Sequence, residues 1–327
     1  MGRKSWRHLS AACAAVALAI AGAPAAATEV PPPQIPSAYP FEDHYVEVLG
    51  ARMHYVDEGE GPVILMLHGN PTWSYIWRNV IPYLTPQARV IAVDNIGFGR
   101  SDKPDIDYTF ADQSRYIDGF IEAMGLTDIT LVVHDWGSAL GLHYAARHED
   151  NVRGVAFMEA IVAPAMPTSY ATLPPQWADF FRAMRDPASG HEFVVVQNGF
   201  VNQVIPGNVV RELTDAEMDF YREPFPTEDT RVPALVWPNQ IPIDGEPADV
   251  VAVVEAYNAW LAQTDVPKLH LYASPGALNP PMVAEWLAAN VPNIETAFIG
   301  QGLHYVQEDQ PEAIGRAIAD WFRRLPD

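Results

Sequence analysis

The sequence predicts an α/β protein in which helices cover both faces of a twisted, mostly parallel β-sheet. Short apolar runs rich in β-branched residues, such as residues 63–67 and 129–133, are typical of strands that are buried on both faces. They alternate along the chain with segments of helical periodicity, for example residues 110–124, and this alternation indicates a parallel sheet. With 327 residues, 49% of them apolar, the chain can bury the large core that this class requires.

The individual elements follow from the two hydrophobic periodicities. The first two strands alternate apolar and polar residues and are separated by Gly50, as expected for two strands joined by a short turn. Residues 63–67 form a continuous apolar run, as expected for a strand in the interior of a sheet. The predicted strands are residues 46–49, 52–56, 63–67, 89–93, 129–133, 152–158, 269–273 and 295–299. The predicted helices are residues 77–84, 110–124, 138–147, 247–262, 281–288 and 311–324.

Residues 160–235 interrupt the alternation and are rich in proline and aromatic residues. We expect them to form a helical cap inserted above the sheet, between two core segments, residues 41–159 and 236–327. The cap contains three short patches of helical periodicity, residues 175–184, 192–197 and 215–221. Ligands of parallel sheets bind at the carboxyl ends of the strands, so we expect the functional residues to lie there.

The first 27 residues predict a secretory signal peptide. Basic residues precede an apolar, alanine-rich stretch, and residues 25–27 form a small-residue cleavage site. Cleavage after Ala27 would remove Cys13, the only cysteine, and leave an exported protein, periplasmic or secreted, without a stable membrane span. An uncleaved anchor is the alternative, although alanine makes a poor hydrocarbon span. Residues 28–40, which include three consecutive prolines, are expected to form a flexible leader.

The formal net charge of −21 argues against two classes of partner. Nucleic acid and anionic membrane surfaces repel a chain this acidic. The charge otherwise favours solubility and does not identify a ligand.

Residues 129–137 combine an apolar strand, a sharp turn and the start of a helix. This is the context of a nucleophile elbow, usually G-x-S-x-G, but Asp135 stands where serine is expected. With a reference pKa of about 3.9, aspartate is anionic at neutral pH and can displace a leaving group from saturated carbon without a base. Water can then hydrolyse the ester. A helix-capping aspartate is the alternative, but the preceding apolar strand and Gly137 favour the nucleophile.

Two further residues are candidates for a catalytic triad. His304 follows the last predicted strand, and the order nucleophile, acid, histidine is that of the α/β hydrolases. There it could take a proton from water. The acid usually follows the penultimate strand, but residues 273–277 contain no carboxylate. Glu159, at the end of the strand after the elbow helix, could orient the histidine instead. Its apolar neighbours argue against the alternative of a surface glutamate.

Asn70 follows the third predicted strand, in the sequence His-Gly-Asn-Pro. A backbone N–H of this loop and that of the residue after the nucleophile, here Trp136, normally form an oxyanion hole. The side chains of Asn70 and Trp136 are also N–H donors, which suits a departing halide. A simple Asn-Pro turn is the alternative, but it would not explain the pairing with Trp136.

The chain from about residue 41 to residue 324 resembles a haloalkane dehalogenase of the α/β-hydrolase superfamily, with its helical cap. The motifs that carry the resemblance are HGNPTWSYIWR (68–78), DNIGFGRSDKP (94–104), VHDWG (133–137), FMEA (157–160), WPNQIPI (237–243) and HYVQED (304–309). The similarity is to the subfamily with an Asp–His–Glu triad and an Asn–Trp halide pair. It implies that Asp135 is the nucleophile, His304 the base, Glu159 its orienting acid, and Asn70 with Trp136 the halide clamp.

The resemblance also implies a substrate pocket and no metal or organic cofactor. Phe181, Phe200 and Pro238 correspond to apolar residues around the halide and the alkyl group. Met184, Asn208 and Leu278 correspond to tunnel positions, and Asn208 is polar where a larger apolar residue is frequent. The substrate range is therefore less predictable than the reaction.

The reaction that the resemblance implies is hydrolytic dehalogenation, in which a small halogenated aliphatic substrate and water give alcohol, halide and a proton. An epoxide hydrolase shares the elbow and the fold, and it would need cap tyrosines such as Tyr170 and Tyr221. A coelenterazine-type luciferase and a non-catalytic binding protein on the same fold are further alternatives, because this fold hosts many functions.

Overall fold

Eight strands form one sheet, as the alternating sequence pattern predicts. The computed structural model describes residues 35–326, so the predicted signal peptide lies outside the described residues. The strands are β1 (His44–Val48), β2 (Ala51–Glu58), β3 (Val63–Leu67), β4 (Arg89–Val93), β5 (Ile129–Asp135), β6 (Val152–Ala160), β7 (Lys268–Pro275) and β8 (Ile294–Gly302).

The strand order in the sheet is β1-β2-β4-β3-β5-β6-β7-β8. The β1–β2 and β2–β4 pairs are antiparallel and all the other pairs are parallel, which confirms the predicted fold class. Leu67, the last residue of β3, pairs with Val93, the last residue of β4, and with Val133 of β5. The carboxyl ends of these three strands therefore lie at the same edge of the sheet. Asp135 pairs with Ala160 at the end of β6. The loops after these strands therefore meet at one edge of the sheet.

Two helices belong to the first half of the core, α1 (Phe110–Ala123) and α2 (Trp136–Arg147). α1 begins with a capping box in which the side chains of Thr109 and Asp112 accept each other's backbone N–H. α2 packs against α1 and against the helix Ala248–Leu261. The remaining core helices are Pro281–Asn290, Val306–Asp309 and Pro311–Phe322. Within residues 35–326, no helix is long and apolar enough to cross a membrane.

The prediction of one helix over residues 77–84 was wrong. The segment forms two short 3-10 helices, Ser74–Trp77 and Ile81–Tyr83. Its backbone N–H groups bond three residues back, for example from Tyr83 to the carbonyl of Val80, and Pro82 has no N–H to extend a longer ladder. The helical spacing of apolar residues in this segment arises because a tight loop is buried, and it does not indicate a regular helix here.

The cap contains the helices Pro175–Arg185 and Asp215–Arg222, close to the predicted patches. Between them the chain is irregular in a way that the sequence did not indicate. A short helical turn and two π-helical turns occupy Pro187–Gly190, His191–Val196 and Phe200–Val204, followed by Ile205–Gly207. π-Turns leave no distinct hydrophobic period, so the prediction of a single patch at 192–197 was incomplete.

The predicted boundary between cap and core, after residue 235, falls inside a helix. This helix, Val232–Gln240, contains Pro233 in its first turn and Pro238 in its interior. Proline is tolerated in the first turn because that N–H needs no helical partner. The helix therefore continues across the predicted boundary.

Tyr39 lies within the predicted flexible leader, yet it packs against the core. Its hydroxyl lies 2.6 Å from the hydroxyl of Ser74. Its ring centroid is 5.0 Å from that of Trp73 and 5.2 Å from that of Phe41. The polyproline pattern gave no sign of this aromatic contact.

A buried ionic cluster joins the 3-10 segment, the cap and the helix Val306–Asp309. Arg78 donates to both carboxylate oxygens of Glu308, at 2.6 and 2.8 Å, and to Glu217 at 2.9 Å. Arg211 bonds the same two glutamates, and Tyr221 donates to Glu308. The side chains of Arg78, Glu217 and Glu308 are almost fully buried, so each charge depends on its partners.

Candidate active site

Asp135 is the last residue of β5 and directly precedes α2. Its backbone has φ 50° and ψ −127°, an unfavourable conformation for a residue with a side chain. Two glycines allow the elbow and the loop after β3 to lie this close to each other. A Cβ at Gly69 would overlap the carboxylate of Asp135, and one at Gly137 would overlap the carbonyl of Leu67. This strained turn is the strand–turn–helix elbow that the sequence predicts.

The two oxygens of the Asp135 carboxylate face different partners. Oδ1 accepts a hydrogen bond from the backbone N–H of Asn70 at 2.7 Å. Oδ2 lies 3.5 Å from Nε2 of His304. Burial alone would raise the pKa of Asp135, but the interaction with His304 outweighs it, and the pKa is lowered. The carboxylate is therefore anionic at neutral pH although it is buried.

His304 lies between two carboxylates. Its Nε2 faces Asp135, and its Nδ1 is 3.3 Å from Oε2 of Glu159. Burial lowers the pKa of His304, but the hydrogen bonds and charges of Asp135 and Glu159 raise it to about 9. The structure thus brings together the three residues of the predicted triad, in the order carboxylate, imidazole, carboxylate.

Glu159 is held by the loop after β7, where the sequence shows no acid. The backbone N–H groups of Ala277, Leu278 and Asn279 all donate to its carboxylate, the shortest from Leu278 at 2.6 Å. The side chain of Asn279 also bonds both backbone groups of Ala160. Sequence reasoning missed Asn279, because nothing distinguishes it from an ordinary loop asparagine before a proline.

Asn70 and Trp136, the predicted halide pair, are both buried next to the elbow. One N–H of the Asn70 carboxamide donates to the carbonyl of Ala234 at 3.3 Å, which leaves its second N–H for a ligand. The Trp136 ring contacts those of Phe110 and Trp237, at centroid distances of 6.0 and 5.7 Å. Its indole N–H has no hydrogen-bond partner among residues 35–326. Both side chains can therefore donate to an anion.

Two residues beside the triad have contacts that the sequence did not predict. His134 Nε2 lies 2.8 Å from the carbonyl oxygen of His304 and donates to it. Burial and the neighbouring His304 lower the pKa of His134 to about 3, so it remains neutral. The hydroxyl of Tyr305 donates to the carbonyl of Asn70 at 3.1 Å. Together they connect the histidine loop to the elbow and to the Asn70 loop.

The six predicted pocket residues fall into two groups. Met184, Phe200 and Pro238 are buried and Phe181 is half-buried, in or beside the cap. The other two contact the triad loops through their backbone. These are Asn208, whose carbonyl accepts the N–H of His304 and Tyr305 at 3.2 Å, and Leu278, which donates to Glu159. Their role in lining a substrate pocket stays a prediction.

No group of three histidine, cysteine, aspartate or glutamate side chains in the described part of the chain has the arrangement of a metal site. Of the two tyrosines that an epoxide hydrolase would need as hydrogen-bond donors, Tyr221 already uses its hydroxyl proton. Tyr221 donates to Glu308, and the hydroxyl of Tyr170 accepts from Arg185 at 3.2 Å.

A carboxylate on the elbow, with a histidine and a buried glutamate beside it on a sheet of this topology, defines an α/β hydrolase that carries aspartate at the elbow position. Residues 62–311 match the family model for the alpha/beta hydrolase fold. The haloalkane dehalogenase of Sphingobium indicum is 48% identical over 295 residues, which cover 88% of this chain and 98% of that protein. The haloalkane dehalogenase of Mesorhizobium japonicum is 45% identical and is covered to 94%.

Solved structures give the same result. Haloalkane dehalogenase DbeA from Bradyrhizobium elkani is 43% identical, with a TM-score of 0.83 over 86% of this chain and 98% of that one. DatA from Agrobacterium tumefaciens is 38% identical, with a TM-score of 0.82 over 87% of this chain and 97% of that one. The chain belongs to the haloalkane dehalogenase family, and the resemblance predicted from the motifs is confirmed.

Proposed function

We propose that the protein converts a haloalkane and water into an alcohol, a halide ion and a proton. Membership of the haloalkane dehalogenase family supports this reaction. The observation that carries the proposal is the ionised carboxylate of Asp135 at the elbow, where other hydrolases of this fold have serine. A carboxylate can displace halide from saturated carbon, and the ester that results can be hydrolysed.

In the first step, Oδ2 of Asp135 attacks the carbon that bears the halogen. A carbon–oxygen bond forms, the carbon–halogen bond breaks, and the halide leaves with the bonding electron pair. The indole N–H of Trp136 and the carboxamide of Asn70 donate hydrogen bonds to the halide. The negative charge therefore moves from a carboxylate held by the protein to an anion held by two neutral donors.

In the second step, His304 takes a proton from water, which attacks the carbonyl carbon of the ester. The charge develops on Oδ1, which the backbone N–H of Asn70 already contacts at 2.7 Å. Collapse of this intermediate breaks the bond between the Asp135 carboxyl carbon and the alkyl oxygen, and the alcohol leaves with the proton of His304. While His304 carries this proton, Glu159 stabilises the positive charge of its imidazolium. The oxygen of water thus remains in the protein for this turnover.

The two steps should depend on pH differently. In the resting protein the pKa of His304 is about 9, so His304 is protonated at neutral pH. Formation of the ester removes the negative charge of Asp135, one of the two carboxylates that raise this pKa. The pKa of His304 therefore falls, and His304 becomes the base that the second step needs.

We expect the rate of ester hydrolysis to rise with pH and to reach half its maximum well below pH 9. Alkylation should not change between pH 6 and pH 8, because the pKa of Asp135 lies below this range and that of His304 in the resting protein, about 9, lies above it. Single-turnover mixing with rapid quenching, with bromide and alcohol measured separately, gives both rates. An ester hydrolysis midpoint at pH 9 or above would contradict the role of the Asp135 charge.

The origin of the oxygen atoms tests the mechanism directly. A single turnover of 1-bromobutane in heavy-oxygen water, with protein in excess, should give unlabelled butanol and a label in the peptide that contains Asp135. Mass spectrometry of the alcohol and of the digested protein measures both. Label that appears in the butanol of this first turnover, with none in the protein, would exclude the covalent ester. The Asp135→Ala variant is the control and should release no bromide.

Epoxide hydrolysis is not favoured, because Tyr221 already donates to a buried glutamate, and the halide-type donor Asn70 remains available. Membership of the haloalkane dehalogenase family does not favour a luciferase reaction or ligand binding without catalysis. We also infer export from the N-terminal pattern of residues 1–27. N-terminal sequencing of the mature protein tests this inference, and a chain that retains Met1 and stays in the cytoplasm would contradict it.

A further inference from the structure

The peptide unit between Gly69 and Asn70 carries the N–H that contacts the nucleophile. This N–H donates to Oδ1 of Asp135 at 2.7 Å. Under the proposed function, on which this inference rests, Oδ1 becomes the oxyanion when water attacks the ester. A donor stabilises that charge only if it already points at the oxygen. The groups that fix the orientation of the Asn70 N–H therefore affect the rate of the second step, ester hydrolysis.

The carbonyl oxygen of the same peptide unit accepts three hydrogen bonds. Thr72 donates its backbone N–H and its hydroxyl, each at 3.0 Å, and His68 donates from Nδ1 at 2.9 Å. The Gly69–Asn70 peptide is trans and planar, so its carbonyl and its N–H point in opposite directions. Holding the oxygen of Gly69 therefore sets the direction of the Asn70 N–H.

The imidazole of His68 is itself held in one protonation state. Its Nε2 accepts the backbone N–H of Asn95 at 2.9 Å, so the proton must be on Nδ1, which faces Gly69. The carboxamide of Asn95 also donates to the carbonyl of His68 at 3.0 Å. Burial lowers the pKa of His68, which keeps the ring neutral. The donor to Gly69 is thus fixed by residues that follow β4.

We propose that His68 and Thr72 are positioning residues that hold the Gly69–Asn70 peptide for the oxyanion, and that they accelerate ester hydrolysis but not alkylation. During alkylation, negative charge leaves the Asp135 carboxylate, so a donor at Oδ1 gains no strength. During hydrolysis the charge returns to Oδ1, and a donor already in place gains the most. Only an interaction that strengthens in the transition state accelerates a step.

Thr72→Val removes one of the three donors and preserves the shape of this fully buried side chain. We expect ester hydrolysis to slow about tenfold, less than the loss of a whole oxyanion donor, while alkylation stays within about twofold. Thr72→Ser keeps the hydroxyl and should retain the ratio of the two rates. Thr130→Val is the matched control, because Thr130 is a buried threonine of β5 whose hydroxyl has no partner within residues 35–326.

The measurement is a single turnover of 1-bromobutane with protein in excess. Bromide reports alkylation, butanol reports hydrolysis, and intact mass reports the ester. Equal slowing of both steps in Thr72→Val, or unchanged hydrolysis, would overturn the inference. Thr72→Ala, which removes the hydroxyl without adding a methyl group, serves if the valine variant does not fold. Wild-type protein that releases no bromide would refute the proposed function itself, whereas normal wild-type turnover with an unaffected Thr72→Val refutes only the positioning role.

Discussion

The His304→Phe variant is expected to release about one halide ion per protein molecule and then stop. Asp135 needs no base to attack. The variant loses the interaction with His304 that lowers the pKa of Asp135, but the backbone N–H of Asn70 still donates to the carboxylate, and pH 8 lies far above the ordinary pKa of aspartate, about 3.9. Water, however, needs a base to open the ester, and the loss of a general base costs about 10²–10⁴-fold in rate. The variant should therefore accumulate the alkyl ester, and its steady turnover should fall by that factor.

Intact mass spectrometry after mixing with 1-bromobutane at pH 8 should show the mass of one butyl group added to the His304→Phe protein. Quantified bromide should equal the amount of protein. His148→Phe is the matched control, because His148 is exposed at the end of α2 opposite to the elbow. It should turn over like the wild type. Steady turnover by His304→Phe at the wild-type rate would show that another group activates the water.

The Glu308→Gln variant is expected to lower the free energy of unfolding by about 3–5 kcal/mol. Glu308 accepts two hydrogen bonds from Arg78 and one from Arg211, and both its own side chain and that of Arg78 are almost fully buried. Glutamine has nearly the same shape and can still accept from Tyr221. It removes the charge, however, so Arg78 loses a buried carboxylate partner while its hydrogen bond to Glu217 remains.

Urea denaturation of wild type and variant at pH 7 measures this difference. Glu312→Gln is the matched control, because Glu312 pairs with Arg316 on the surface, with half of its side chain exposed. Exposed pairs of this kind contribute less than about 1 kcal/mol. A destabilisation by Glu308→Gln no larger than that of Glu312→Gln would mean that the buried cluster contributes nothing to stability.

The strands and the positions of the triad were predictable because both follow from strong local patterns. Short continuous apolar runs such as residues 63–67 and 90–93 are typical of inner strands that are buried on both faces, as β3 and β4 are. The ends of parallel strands meet at one edge, so Asp135, Glu159 and His304 were expected to lie together without any knowledge of the loops. The substitution of aspartate for serine then indicated the chemistry.

The connections between these positions were not predictable. The donors from residues 277–279 to Glu159 are backbone groups, which every sequence has, so no residue type indicates them. The same holds for the carbonyl of Gly69. The cap was harder still, because π-turns and a helix with proline in its interior carry no clear periodicity. Tertiary packing decided these elements, and local sequence did not.

The backbone N–H groups of residues 277–279, which bind Glu159, affect how this site can change during evolution. Three N–H groups converge on a point between the ends of β6 and β7. A carboxylate that reaches this point from either strand would meet the same donors and the same imidazole. The acid of the triad can therefore be carried by either strand in related proteins, while the charges and hydrogen-bond donors around the histidine stay the same.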